Sequence, residues 1–289
     1  MRSNCLSALV LLLAALLRPL PLEVSVQARE LVPGDPLRLD VVAPEPLREL
    51  SASFLGEPIR FTPIDDSGRR WRGWSLIPLD QTAGSVSIEL SGTTATGGEA
   101  IGMHALAIAA KSFPEENLSV APKYVEPPAE VQRRIERERA KLKKIYAVVG
   151  PDRTDGEPFL RPVDGINTST FGKRRLFNGK PRSPHPGLDM RAATGTEIAN
   201  AGPGRVVLAQ DLYYAGNTVI VDHGAQLFTI YAHLSRIDVA VGDKLSRGDR
   251  VGLSGATGRV TGPHLHWGAK IGDRPFDPEA LLDPTLLAD

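Results

Sequence analysis

The chain has 289 residues, 34 basic and 34 acidic side chains, a formal net charge of zero, and one cysteine, Cys5. Balanced charge leaves no electrostatic footprint for nucleic acid. A single cysteine excludes an internal disulfide and every multi-thiolate zinc site, so a bound metal has to be held by His and carboxylate.

Met1 to Asn4 carries one positive charge, Arg2, and Leu6 to Leu17 is an unbroken run of apolar or small residues. That run is shorter than the roughly 18 to 20 residues of a spanning helix and has the shape of an export signal. Val26-Gln27-Ala28 offers a cleavage site, which assigns residues 1–28 to a signal peptide; an uncleaved N-terminal anchor is the alternative. No second apolar run of spanning length follows, so no integral span is expected once the signal is removed, and Cys5 leaves with it.

The 28 glycines and 24 prolines exceed the roughly 20 and 14 of average usage, which favours short strands and turns. Residues 29–125 show strand-like runs at Leu37 to Ala43, Glu49 to Leu55, Ile59 to Pro63, Trp71 to Pro78, Ser85 to Leu90 and Met103 to Ala109. Val86, Ile88 and Leu90 alternate onto one face, and turn signals at Asp66-Ser67-Gly68 and Gly97-Gly98 fall between runs. The reading is mainly β, with an immunoglobulin-like sandwich. Residues 126–150 read as a linker helix. Pro127-Pro128 opens it, and Val131, Ile135, Leu142 and Tyr146 recur at helical spacing among charges. Arg133 to Lys144 carries seven basic and two acidic residues, read as a solvated face.

Residues 151–289 hold five of the six histidines. His185-Pro186-Gly187-Leu188-Asp189 places a nitrogen and a carboxylate four residues apart. His264-Leu265-His266 places two imidazoles on one face of an extended strand. His233 follows the apolar run Leu227 to Ile230 and projects from a strand end. A catalytic zinc takes three N or O ligands and keeps one position open for water. Four imidazoles and Asp189 exceed that need, so the surplus has another role, in proton transfer or oxyanion stabilisation. Spacing alone does not say which imidazole does which.

These residues resemble the lysostaphin-like and LytM-like zinc metallopeptidases. The match runs from about Asn167 to Asp277 through His185-x-Gly187-x-Asp189, Gly216-Asn217-Thr218-Val219, Tyr231-Ala232-His233-Leu234, Gly255-Ala256-Thr257-Gly258 and Thr261-Gly262-Pro263-His264-Leu265-His266. The resemblance implies an antiparallel β-sheet metallopeptidase domain with one zinc bound by His185, Asp189 and His266. It implies that His264 is the general base and that His233 orients water or stabilises the transition state. It implies as substrate the stem peptide or cross-bridge of peptidoglycan, which agrees with export to the periplasm or cell envelope. Substrate contacts are expected from Tyr231, from Asn178 in the Asn178-Gly179 turn ahead of His185, and from Arg175, whose guanidinium could hold a carboxylate. The alternative is a non-catalytic peptidoglycan-binding protein or an activator of other hydrolases.

Overall fold

The computed structural model describes residues 18–151 and 156–287. The apolar run of the expected export signal lies outside the described residues. In the N-terminal unit the strands are β1 (Leu20–Pro21), β2 (Glu23–Gln27), β3 (Pro36–Val42), β4 (Leu47–Phe54), β5 (Glu57–Pro63), β6 (Arg70–Leu76), β7 (Gly84–Thr94) and β8 (Glu99–Ile108). The six runs expected from alternation correspond to β3 to β8. Alternation works here because one face of each strand is buried: Leu37, Leu39, Phe54, Ile59, Ile88 and Leu106 form the core.

The strand order is β1-β8-β7-β4-β5-β6-β3-β2. The order β2-β3-β6-β5 on one side and β4-β7-β8 on the other is compatible with the two sheets of an immunoglobulin-like sandwich, here joined where β5 also pairs with β4. β5 pairs with β4 through Ile59 and with β6 through Arg60 to Pro63, so one strand serves both faces. The chain from β1 into β2 joins the two ends of the path. β1 runs parallel to β8, Leu22 N donates to the Ile101 carbonyl at 2.7 Å, and β2 then pairs with β3 over Glu23 to Gln27. This closure protects edges that would otherwise be open. A cut after Ala28 would remove β1 and β2, the two strands that make this closure.

β9 (Glu115–Leu118) was grouped with the N-terminal unit, but it pairs in parallel with β11 (Arg174–Phe177) of the C-terminal unit. Between them come a one-turn helix, α1 (Pro122–Val125), and α2 (Ala129–Tyr146), followed by β10 (Asn167–Ser169). The stripe on α2 buries Ile135 and Tyr146, and Tyr146, Leu142 and Ile145 pack with Leu208, Leu212, Ile220 and Phe228. The remaining strands are β12 (Lys180–Pro181), β13 (Gly187–Arg191), β14 (Glu197–Ala199), β15 (Gly204–Leu212), β16 (Gly216–Asp222), β17 (Leu227–Leu234), β18 (Arg236–Ile237), β19 (Lys244–Leu245), β20 (Arg250–Leu253), β21 (His264–Ile271) and β22 (Arg274–Phe276). The main sheet has the order β10-β13-β21-β17-β16-β15-β19 with every neighbour antiparallel. Its core includes Leu188, Met190, Leu265 and Trp267, all fully buried. Among the described residues no helix is long and apolar enough to cross a membrane.

The two units are tied by charge. Arg29 donates to Asp35 at 2.7 Å and to Asp277 at 2.8 Å, and Asp35 is fully buried.

Candidate metal centre

Three central strands and one bulge bring the histidines together. Asp189 on β13 lies opposite His266 on β21, and His266 lies opposite Ala232 on β17. His185 sits two residues ahead of β13. The register between β16 and β17 slips between Asn217 and Val219, and His233, inside that irregularity, has φ of +64°. A left-handed conformation costs a non-glycine residue roughly 1–2 kcal/mol. Here the extra residue of a β-bulge re-aims a side chain, and the buried His233 ring comes to 4.9 Å from His264 and 5.9 Å from His266 between centroids.

The ligating atoms of His185, Asp189 and His266 lie within 4.8 Å of one another. His185 Nε2 is 3.0 Å from Asp189 Oδ1 and 3.1 Å from His266 Nδ1, and His266 Nδ1 is 2.7 Å from Asp189 Oδ1. His264 Nε2 stands 3.7 Å from the same oxygen.

The outer hydrogen bonds of the rings fix what the inner atoms are. His185 Nδ1 donates to the Thr170 carbonyl at 2.9 Å, His233 Nδ1 to the Thr257 carbonyl at 2.8 Å, and His264 Nδ1 to the Gly262 carbonyl at 2.8 Å. A carbonyl only accepts, so each Nδ1 carries a proton and each ring turns its Nε2 inward. Burial pushes the His185 imidazole down to about 4 and the His233 imidazole down to about 3, keeping both rings neutral at pH 7. Burial alone would raise the Asp189 carboxyl, but its contacts with His185 and His266 outweigh that and hold it well below the usual range. Lone pairs and a carboxylate thus face each other in a space closed to solvent on one side. That arrangement is satisfied by a cation, and two imidazoles with one carboxylate form a donor set suited to zinc.

Arg175 sets the carboxylate's orientation. Its Nη2 donates to Asp189 Oδ2 at 2.8 Å, leaving Oδ1 for the imidazoles, and its Nε donates to Glu116 Oε2 at 3.3 Å. The expected substrate contact at Arg175 is therefore already committed to two carboxylates of the chain itself. Tyr231 is corrected outright, since its ring is fully buried away from the cleft. Its hydroxyl accepts from Ala201 N at 2.7 Å and donates to Asn200 Oδ1 at 3.2 Å. Asn178, with φ of +52° ahead of Gly179 at +77°, makes the turn between β11 and β12. Its amide clasps Val120, accepting from N at 3.0 Å and donating to O at 2.9 Å, so it anchors the segment between β9 and α1 and does not line the metal-side cleft. His223 is a structural residue, buried between the Pro203 carbonyl and Thr229.

The cleft above the centre has a volume of about 240 Å³ and is walled by His233, His264, Arg259 and Tyr214, and by Leu118 at the end of β9 with Val120 just after it. Leu118 and Val120 escape a reading of the sequence because a short edge strand and the segment after it carry no signal of the groove they will border. Arg259 stood within the glycine-rich loop Gly255 to Gly262, where its charge was the one visible cue.

Residues 183–278 match Peptidase family M23. Over 111 residues the chain is 48% identical to peptidoglycan DD-endopeptidase ShyA of Vibrio cholerae serotype O1, covering 38% of this chain and 26% of that protein. Over 101 residues it is 37% identical to DD-carboxypeptidase/endopeptidase Mpg of Neisseria meningitidis serogroup B, covering 35% of this chain and 23% of that one. The matched stretch spans about a quarter of the length of these curated relatives. A crystal structure of a protein assigned to peptidase M23 from Pseudomonas aeruginosa is 32% identical, covers 88% of this chain and 95% of that chain, and superposes with a TM-score of 0.63.

Proposed function

We propose that this chain, which belongs to peptidase family M23, is a zinc endopeptidase that hydrolyses peptide bonds in the stem peptides or cross-bridges of peptidoglycan. The observation that carries the reading is the convergence of His185 Nε2, Asp189 Oδ1 and His266 Nδ1 beside the rings of His233 and His264, each held through its Nδ1 by a backbone carbonyl. His185, Asp189 and His266 hold the zinc. When bound, zinc supplies Lewis acidity to a water and to the scissile carbonyl.

The chain's own groups do the rest. His264, with Nδ1 pinned on the Gly262 carbonyl, presents a basic Nε2 that takes the proton of the attacking water and passes it to the leaving amine. His233 is held neutral with its proton on the Thr257 side. Its Nε2 therefore accepts a hydrogen bond, which suits it to orient water; oxyanion stabilisation would require a donor at that position. Arg175 acts through Asp189 by holding the carboxylate in one orientation. Substrate and the apolar run at Leu6 to Leu17 together support an exported protein of the periplasm or cell envelope.

The experiment is incubation of the full chain with purified sacculi, with and without chelator, followed by mass analysis of released fragments. New amine ends that chelation abolishes are the expected result. Binding without release would overturn the enzymatic reading in favour of a wall-binding or activating protein. Asp189→Ala is expected to lose zinc and hydrolysis together, and His264→Ala to keep zinc and lose hydrolysis.

A further inference from the structure

The cleft continues beyond the candidate metal donors. Past Arg259 it opens into a second space of about 490 Å³ bordered by α1, by α2 and by the segment leading to His185. Four guanidinium groups line it, from Arg139, Arg175, Arg182 and Arg259, and none of its lining residues is Asp or Glu.

Two of the four are engaged by the protein. Arg175 pairs with Asp189 and Glu116. Arg182 donates to the Val125 carbonyl at 2.8 Å and lies near Glu126, which itself pairs with Lys180. Arg259 differs. Its guanidinium rests 4.3 Å from the Phe177 ring centroid and 4.9 Å from that of Tyr214, and among the described residues its side chain has no ion pair or hydrogen bond. It borders both the metal-side cleft and the second space.

Aromatic faces attract a cation but accept no conventional hydrogen bond from its in-plane N–H groups. A guanidinium packed on two rings therefore keeps its donor fork available, and that fork matches a carboxylate in two parallel hydrogen bonds. Burial pushes the Arg259 guanidinium down to about 10, with Arg175 and Arg182 acting in the same direction against the favourable influence of Tyr214, so it remains charged at neutral pH. A half-buried cation among other cations is relieved by an anion from outside.

We propose that the second space is a carboxylate-binding subsite, in which Arg259 grips a carboxylate of the substrate peptide while Arg139 and Arg182 add positive potential at its rim. The proposal deepens the peptidase reading and rests on it. Two sources supply the same chemistry, the free C-terminal carboxylate of a peptide and a side-chain carboxylate within it.

The test uses synthetic cross-linked stem peptides in four forms: both carboxylates free, only the terminal one amidated, only the side-chain one amidated, and both amidated. For the wild-type chain, amidation of the bound carboxylate is expected to raise KM at least tenfold with kcat within threefold, and the single amides identify which carboxylate it is. Arg259→Met keeps the aliphatic stem between the rings and removes the charge. It should show the raised KM on the free form and become indifferent to amidation, and Arg259→Lys should recover part of the loss. If amidation moves the wild-type KM less than twofold, or if Arg259→Met impairs free and amidated peptides equally, the subsite is refuted. Should the wild-type chain cleave none of the four, the peptidase reading fails separately. Calorimetric titration of the free and fully amidated peptides into the chelated full chain then decides the subsite. A tenfold preference for the free form that Arg259→Met abolishes upholds it, and equal binding overturns it.

Discussion

Replacing Gly187 by alanine isolates the geometry that gives the donors their spacing. Gly187 opens β13 opposite Gly268 of β21 and has an ordinary strand conformation, so alanine brings no backbone strain. Space is the difficulty. A Cβ at this position would lie 2.5 Å from the Trp267 carbonyl oxygen, 2.8 Å from His266 Cε1 and 2.9 Å from His266 Nε2. The carbonyl belongs to a strand paired on both sides, with β13 and with β17, and has no room to retreat. Restoring ordinary contact of roughly 3.5 Å requires β13 and β21 to part by about 1 Å, or the His266 ring to swing by a similar amount. A metal site tolerates only about 0.2 Å in its ligand distances. The expected outcome is a loss of roughly 1–3 kcal/mol in the chelated protein from overpacking and a further weakening of zinc binding by about 10–100-fold. Urea unfolding of chelated and loaded protein, together with competition against a chromophoric chelator, measures both. Gly262→Ala is the control, since a Cβ there meets nothing within 4 Å and the backbone is not left-handed. If Gly187→Ala binds zinc as tightly as Gly262→Ala, the close approach of β13 to His266 does not set the site.

Three other outcomes follow from the same structure. Arg175→Ala strips Asp189 Oδ2 of its donor at 2.8 Å and should weaken zinc binding about tenfold or more in the competition assay, with little recovery in Arg175→Lys because an ammonium lacks the fork. Burial pushes the Tyr231 hydroxyl up to about 12, so below pH 10 folded and unfolded chains bind its proton equally, and above it only the unfolded chain releases it. Stability should then fall as pH rises toward 12, and the wild type should lose about 2 kcal/mol more than Tyr231→Phe between pH 9 and pH 12 in urea unfolding; parallel curves would show that this hydroxyl titrates freely. A chain starting at Arg29 lacks β1 and β2, exposes one side of β3 and forfeits the burial of Leu22. It should be less stable than one starting at Arg18 by about 3 kcal/mol or more, or aggregate on size exclusion, and equal melting of the two would contradict the closed N-terminal unit.

Much of this architecture could be read from local pattern. The runs that became β3 to β8 were visible because each buries one face, and α2 because its apolar residues recur along one stripe. β2 carries the same alternation in Val24 and Val26 but lies inside the range 1–28 read as an export signal, and its pairing with β3 is what marks it as a strand. β9 is four residues with two acidic side chains, and nothing local marks it as a strand; it exists because β11 offers an edge. That His264 and His266 share one side was legible from their two-residue spacing in β21, while the grouping of His185, Asp189 and His233 with them came from the family resemblance. The fates of Tyr231, Asn178 and Arg175 were not legible, because each depends on a distant partner: Ala201 and Asn200, Val120, and Asp189 with Glu116. A side chain's partner across the chain is a property of register, which single residues do not announce.

The antiparallel pairing of β13 with β21 has a consequence in time. His185 and Asp189 leave the ribosome long before His266, and His233 emerges between them on the strand that will separate β21 from β16. Until the segment around Leu265 has been made, β13 lacks its neighbour on that side and the third donor does not exist. The growing chain therefore lacks the full donor set until its last stretch exists, and the set is completed when β21 pairs between β13 and β17.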